Sequence, residues 1–330
     1  MRWVFVAASP RPMKLRNQYR WLGLVFCCTA IMTGEQPGNL PACANFRADV
    51  NLARVPVNVF DSRNRVVNHL DPKYFRVLED GVEQPILAVG AEDTPASVKF
   101  VFDTSGSMGA KLDLSRRAVA EFLQSANPQD EFFLLPFDSR LGAPIGFTSR
   151  FEDILDRLAL VKSWGTTALL DALQSAFLKI RNAHNPRRAI VIISDGGDNH
   201  SRATKTDIQR MAREADAQVY ALGTYEPPVA RHRSTEELTG PDLLNGISEQ
   251  TGGRSFRVRR PSDIVDAAIR IGFELRNQYS IEYRPANQTW NGMYRRITVE
   301  VTPPAGFPQL RVNWRQGYYA AEPLCVLPTS

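Results

Sequence analysis

Cysteine and histidine are scarce in this sequence, with four of each among 330 residues. The histidines form no metalloprotease motif and no serine–histidine–aspartate spacing, and no glycine-rich phosphate-binding loop follows the first predicted buried strand. Only Cys43 and Cys325 lie outside an N-terminal apolar segment. In an oxidising compartment these two could form one disulfide, whereas cleavage after Ala44 would leave Cys325 as a free thiol. These absences argue against the common hydrolase and nucleotide-binding classes.

The sequence also lacks an apolar run long enough to span a membrane. The N-terminal run, residues 21–32, has 12 residues and follows a basic stretch, which is the arrangement of a secretory signal. We predict a signal peptide over residues 1–34, with Met13 as a possible start, and a linker over 35–45. The alternative is an uncleaved anchor, the one route by which we expect membrane contact. The protein is predicted to be secreted, periplasmic or part of a bacterial cell envelope.

An excess of one charge is absent once this segment is set aside. The formal net charge is +5, but residues 1–33 hold five of the 40 basic residues and none of the 35 acidic ones. The remainder is formally neutral, so charge gives no reason to expect a nucleic-acid partner.

The most informative stretch that is present covers residues 98–109. A short apolar run, typical of a strand buried on both faces, ends at Asp103. A small-residue loop then places the hydroxyls of Ser105 and Ser107, and helical periodicity begins at Leu112. One carboxylate and two hydroxyls are hard oxygen ligands, which suit Mg²⁺ or Mn²⁺ better than a metal that prefers thiolate or imidazole.

Two later segments supply further oxygen ligands. Thr166 and Thr167 stand at the start of a predicted helix, and a second apolar strand over residues 189–194 leads to Asp195. In a doubly wound sheet of strand order 3-2-1-4-5-6, the first and fourth strands are neighbours at the switch point, beyond which ligands bind. The two strands hold these positions in our count, so Asp103 and Asp195 are predicted to converge.

The pattern Asp103-x-Ser105-x-Ser107, followed by Thr167 and Asp195, resembles the metal-ion-dependent adhesion site of von Willebrand factor A domains. The resemblance implies that Ser105, Ser107 and Thr167 coordinate Mg²⁺ (or Mn²⁺, with Ca²⁺ possible) directly, while Asp103 and Asp195 bind it directly or through water. It also implies an open coordination position that an Asp or Glu of a protein partner completes. Thr167 is preferred to Thr166 because Thr167-Ala168-Leu169 aligns with the family's Gly-Thr-Ala-Leu pattern. The alternative is a set of helix caps and turn residues that has lost its metal.

The rest of the chain predicts an α/β fold, with a doubly wound, mostly parallel sheet over residues 96–278. Apolar residues alternate with period two over 46–95 and 279–322, which indicates one discontinuous antiparallel β domain into which the α/β domain is inserted. Residues 323–330 form a tail. Within this arrangement we predict a hairpin over residues 74–89, an exposed loop over 226–240 and a helix over 243–251. The whole order is similar to a family of secreted bacterial von Willebrand factor A-related proteins, through the Asp80-Gly81 hairpin among other motifs.

Metal-dependent protein binding is the leading functional hypothesis. The candidates for contact with the partner are Trp164, Thr166, Gly196 and Asp198. A buried packing role is an equally good explanation of Trp164. A structural role in a turn explains Asp198 equally well. A structural role in an envelope complex is the second hypothesis. The third is metal-dependent hydrolysis, for which His200 is nearest in sequence to Asp195, although we expect it on an exposed loop. We expect neither an enzyme nor a small-molecule substrate.

Overall fold

The computed structural model describes residues 52–90, 94–224, 235–258, 260, 263–303 and 306–320. All of these residues belong to one compact unit, Arg47–Ser330. The predicted signal peptide, the linker, the possible Cys43–Cys325 disulfide and the tail lie outside the described residues. Within the described part of the chain, no helix is long and apolar enough to cross a membrane.

The regular elements alternate as the sequence pattern indicates. The strands are β1 (Ala53–Phe60), β2 (Phe75–Glu79), β3 (Val82–Gln84), β4 (Ile86–Gly90), β5 (Ala96–Asp103), β6 (Glu131–Phe137), β7 (Ile145–Thr148), β8 (Arg187–Ser194), β9 (Gln218–Thr224), β10 (Ser255–Val258), β11 (Tyr279–Tyr283), β12 (Tyr294–Val301), β13 (Arg311–Trp314) and β14 (Gly317–Tyr319). The helices are α1 (Leu112–Gln124), α2 (Phe151–Leu160), α3 (Leu169–Ile180), α4 (Lys205–Glu214), α5 (Thr235–Thr251) and α6 (Asp263–Arg276).

The central sheet has six strands in the order β10-β9-β8-β5-β6-β7. All neighbours are parallel except β7, which is antiparallel to β6. Counted from β5 as the first strand, this is the predicted order, with the first and fourth strands adjacent. All eight residues of β5 are buried, because α1, α2 and α6 cover one face of the sheet and α3, α4 and α5 cover the other. The predicted α/β class is confirmed.

Two four-stranded antiparallel sheets flank the central one in sequence. Their orders are β13-β1-β11-β4 and β14-β12-β2-β3, so each sheet combines strands from before and after the central sheet. They share one apolar core, to which β1, β2, β11 and β12 contribute buried side chains. Neither half supplies enough strands to cover this core alone, which is why the chain returns to it after the α/β part. The residue boundaries assigned to the domains stay predictions.

The second arm of the predicted hairpin is not one strand, and that prediction is wrong. β3 pairs with β2, whereas β4 pairs with β11 in the other sheet. Pro85 separates them, and a proline has no backbone N–H with which to continue the hydrogen-bond ladder. The reversal at Asp80-Gly81 is as predicted, since both residues have positive φ, 49° and 83°.

The predicted loop over residues 226–240 is wrong for residues 235–240, because α5 already begins at Thr235; the earlier residues of that loop beyond Thr224 lie outside the described ranges. Pro241 lies inside α5, although an interior proline removes one helical hydrogen bond. The reason for a glycine here is tertiary. A Cβ at Gly240 would overlap the carbonyl oxygen of Gly196, so only a glycine lets α5 approach this closely.

Candidate metal centre

The first loop of the site begins where β5 ends, at Asp103, which is fully buried. In the parallel pairing of β5 with β8, Phe102 lies beside Ile193, so the next residues, Asp103 and Ser194, are also neighbours. The Ser194 hydroxyl donates to Oδ2 of Asp103 at 2.6 Å, and the backbone N–H of Ser105 donates to Oδ1 at 2.8 Å. Strand register thus fixes this carboxylate at the carboxyl edge of the sheet.

The two serines of the first loop lie next to each other. Ser105 is 1% exposed, Ser107 is exposed, and their hydroxyl oxygens are 3.1 Å apart. A 3-10 turn over Gly106–Lys111 follows, held by the bond from Met108 N to the Ser105 carbonyl, and the side chain of Met108 is buried in the core. The turn therefore directs both hydroxyls to the same place beyond β5.

The second loop, residues 163–168, is hydrogen-bonded to the first. The backbone N–H of Trp164 donates to the Thr104 carbonyl at 2.8 Å, and that of Gly106 donates to the Gly165 carbonyl at 3.0 Å. The Ser163 hydroxyl donates to the Ser105 carbonyl at 2.8 Å. Trp164 itself is 78% exposed, so the buried packing alternative for it is wrong.

The third loop, which follows β8, is hydrogen-bonded to the second through Thr167. The Thr167 N–H donates to Oδ1 of Asn199 at 2.9 Å. In return, the backbone N–H groups of Asn199 and His200 donate to the carbonyl of Thr167. Thr167 is 4% exposed, whereas Thr166 is exposed. Asp198 accepts hydrogen bonds from the Leu169 N–H and the Ser201 hydroxyl, so turn and helix-cap chemistry accounts for it.

Asp195 lies in the third loop, one residue after β8. Its side chain is 13% exposed, and Oδ2 is 3.6 Å from the ammonium of Lys111. Gly196 then has a φ of 83°, a conformation that favours glycine and turns the chain away from the strand.

The electrostatics of this edge are dominated by two neighbouring carboxylates. Burial and the nearby negative charge of Asp195 raise the pKa of Asp103 to about 6, against hydrogen bonds from Ser105 and Ser194 that lower it. Two carboxylates and several hydroxyls form a donor set of oxygen alone, and within the described ranges no three His, Cys, Asp or Glu side chains cluster as metal ligands. Such a set fits a hard divalent cation.

Sequence reasoning missed Ser194 and Lys111, whereas it considered Asn199, with Asp198, as a residue that could shape the site or act in a turn. The strand pairing alone could have identified Ser194, since it faces Asp103 across two parallel strands. Lys111 carries no comparable local signal, because its position depends on how the loops pack.

Within the described residues, neither His184 nor His200 adds a base to this site. His200 is exposed, as expected, and its backbone rather than its ring bonds Thr167. Nδ1 of His184 is 2.7 Å from Glu131, at the opposite edge of the sheet, where β6 and β8 begin. His232 lies outside the described residues. In the part of the chain that the structure describes, neither the His184 ring nor the His200 ring is hydrogen-bonded to Asp103 or Asp195.

Known proteins resemble this chain over part of its length. An uncharacterized protein of Borreliella burgdorferi is 25% identical over 185 residues, which are 49% of this chain and 54% of that protein. Inter-alpha-trypsin inhibitor heavy chain H4 of Homo sapiens is 26% identical over 146 residues, 40% of this chain and 16% of that protein. The matched regions thus span about half of the first relative and much less of the second.

Among solved structures, the von Willebrand factor type A protein of Catenulispora acidiphila is 13% identical with a TM-score of 0.44, covering 82% of this chain and 72% of that one. The vWF domain of the type V pili tip protein Mfa5 of Porphyromonas gingivalis is 12% identical with a TM-score of 0.43, covering 56% and 95%. The narrower resemblance to secreted bacterial relatives stays a prediction. Residues 98–197, which hold all three site loops up to Gly197, match the family model of the von Willebrand factor type A domain, and the chain therefore contains such a domain.

Proposed function

We propose that this protein is a secreted or envelope-associated binding module whose site holds Mg²⁺ or Mn²⁺ and takes a carboxylate from a protein partner. One observation carries the proposal: hydrogen bonds between backbone and side chains join all three loops at the carboxyl ends of β5 and β8. These loops contain Asp103, Ser105, Ser107, Thr167 and Asp195.

The donor chemistry supports a cation at this place. Burying two like charges beside each other is unfavourable, and a divalent cation between them offsets that cost. The residues that would hold it are the two aspartates and the three hydroxyl residues of the loops. When bound, the cation supplies a positive charge that attracts an acidic side chain.

The surroundings of the site support a protein as the partner. Trp164 and Thr166 are both exposed on the second loop, and exposed tryptophans are enriched where proteins bind each other. We therefore place Trp164 at the rim of the interface, with the carboxylate of the partner at the cation.

Metal binding is tested first, with Asp195→Asn and the matched control Asp156→Asn, which makes the same change on the exposed face of α2. Titration calorimetry with Mn²⁺ and Mg²⁺ should give one site in the native chain and in the control. Asp195→Asn should weaken it at least about tenfold. Equal affinity in all three proteins would refute the metal site.

Partner binding is tested next, by capture from an envelope extract with Mg²⁺ or with chelator. A protein that is captured only with Mg²⁺, only by the native chain and the control, and not after its acidic residues are blocked supports the proposal. If neither chelator nor the substitution Asp195→Asn changes the amount of protein captured, the result would instead support a structural role in an envelope complex.

A further inference from the structure

A cleft of about 440 Å³ lies at the opposite edge of the central sheet from Asp103 and Asp195. Arg187 and Arg188, the first residues of β8, line it together with Gln218, the first residue of β9. The other wall comes from the antiparallel part, through residues of β1 and β11. A cavity of this size and position, between two packed parts of a fold, is typical of a site for a small ligand.

The lining is rich in arginine. Four arginines and two carboxylates face the cleft, which gives a formal charge of +2. Arg188 and Arg315 share a single carboxylate, Asp216, at 3.4 and 2.9 Å, while Arg54 is paired with Glu282 at 2.6 Å. Since one carboxylate serves two guanidinium groups, the cleft has spare capacity to bind a second anionic group.

Three buried polar atoms of the lining lack a hydrogen-bond partner within the described residues. They are Oε1 of Gln278, Nε of Arg188 and Oγ of Ser280. Gln278 is 1% exposed, and its amide nitrogen donates to the Leu275 carbonyl at 3.1 Å, which fixes the orientation of the amide. A polar atom that is buried without a hydrogen-bond partner is unfavourable, so a group that pairs with these atoms is favoured.

The chemistry of the lining selects the ligand. The guanidinium groups donate and require an oxyanion, whereas Oε1 of Gln278 accepts and has no donor within the described residues, so it requires an N–H or O–H. A peptide carboxyl end offers both, a carboxylate with an amide N–H beside it. We propose that the cleft binds the α-carboxylate end of a short peptide or a free amino acid, with Arg188 and Arg315 at the carboxylate and Gln278 at the N–H. This site is independent of the proposed metal centre.

The test uses the tripeptide trialanine and its C-terminal amide, which differ only in the carboxylate. Chemical-shift titration at fixed ionic strength should give saturable binding of trialanine with a Kd of about 1 mM or lower, and at least about tenfold weaker binding of the amide. Titration with free alanine distinguishes an amino acid from a peptide end as the ligand. If free alanine binds as tightly as trialanine, the ligand is an amino acid. If free alanine binds more weakly than trialanine, the ligand is the end of a peptide. Equal binding of trialanine and its amide would overturn the proposal.

Arginine variants locate the site. Arg188→Gln should weaken trialanine binding at least about tenfold. The matched control is Arg76→Gln on β2, where the arginine also contacts two carboxylates, Glu83 and Glu300, each at 2.9 Å. If Arg188→Gln unfolds the protein, Arg315→Gln, at the second arginine proposed to bind the carboxylate, replaces it. Binding that neither cleft variant weakens would overturn the proposal. The Kd of trialanine should be the same when chelator is present. A negative result for this cleft can therefore be told apart from a negative result for the metal centre.

Discussion

The substitution Lys99→Met on β5 is expected to stabilise the protein. Lys99 is fully buried in the centre of the sheet, and its Nζ has no hydrogen-bond partner within the described ranges. The ammonium lies 3.7 Å from the ring centroid of Phe133 and 5.6 Å from that of Phe147. Desolvation and the nearby charge of Lys179 lower the pKa of Lys99 from 10.5 to about 7. The charged form of Lys99 is therefore unfavourable in the folded protein, whereas a methionine has a similar shape and carries no charge.

The pKa shift sets the size and the pH dependence of the effect. Between pH 7 and 10.5 the unfolded chain holds the Lys99 proton more tightly than the folded chain, so the stability of the native protein rises with pH across this window. A pKa shift of this size lowers the free energy of unfolding of the native protein by about 4–5 kcal/mol below pH 7. Contact with the aromatic rings offsets part of it. We expect Lys99→Met to raise the free energy of unfolding by about 2–4 kcal/mol at pH 7, with the gain shrinking toward pH 10.

Urea unfolding of both proteins, at intervals from pH 6 to pH 10, measures this difference. The control is Lys179→Met on α3, a lysine that is 5.9 Å from the Phe133 ring but not fully buried. It removes the same charge and should change stability by less than about 1 kcal/mol. A native protein that is as stable as Lys99→Met at pH 7, or a difference between the two that does not vary with pH, would refute the reasoning.

Three further predictions follow from the contacts described. Lys111→Met removes the cation beside Asp195 and should raise affinity for Mn²⁺ about tenfold in calorimetry, since the lysine competes with the metal for the same carboxylate. Mg²⁺ at about 100 times its Kd should raise the free energy of unfolding by about 3 kcal/mol, an increase that chelator reverses. Arg295→Met removes the cation paired with the buried carboxylate of Glu79, which keeps hydrogen bonds from the hydroxyls of Tyr283 and Tyr318, and should cost about 3–5 kcal/mol in urea unfolding. Arg54→Gln at an exposed pair should cost less than about 1 kcal/mol.

The sequence was sufficient to predict the central sheet and the meeting of its two aspartates. Both properties depend on local pattern: buried apolar strands that end in Asp103 and Asp195, and helices between them that force parallel pairing. Once the strands are counted, the order of the sheet follows, and the structure has that order. The same pattern placed Thr167 at the start of α3, where its backbone is bonded to the loop after Asp195.

The sequence was insufficient where tertiary contacts outweigh local preference. The pattern predicted one strand that continues through Pro85, but this residue is the point at which the chain passes from one sheet to another. The helix was predicted to start at residue 243, yet α5 already begins at Thr235, and its Gly240 packs closely against the carbonyl of Gly196. The position of Lys111 beside Asp195 depends on the packing of the 3-10 turn, which no spacing rule supplies.

The hydrogen bonds of the two aspartates decide which of them tests the metal centre most clearly. Asp103 accepts from the Ser105 N–H and the Ser194 hydroxyl, so its replacement loosens the loop as well as removing a ligand. Among the described residues, Asp195 accepts a long bond of 3.4 Å from the Gly197 N–H and contacts Lys111. The bonds that join the three loops use backbone groups and the side chains of Ser163, Ser194 and Asn199, none of which Asp195→Asn disturbs. A loss of metal binding in Asp195→Asn with unchanged unfolding free energy in chelator therefore reports on the charge of the site, whereas the same loss in a variant of Asp103 would combine charge with loop structure.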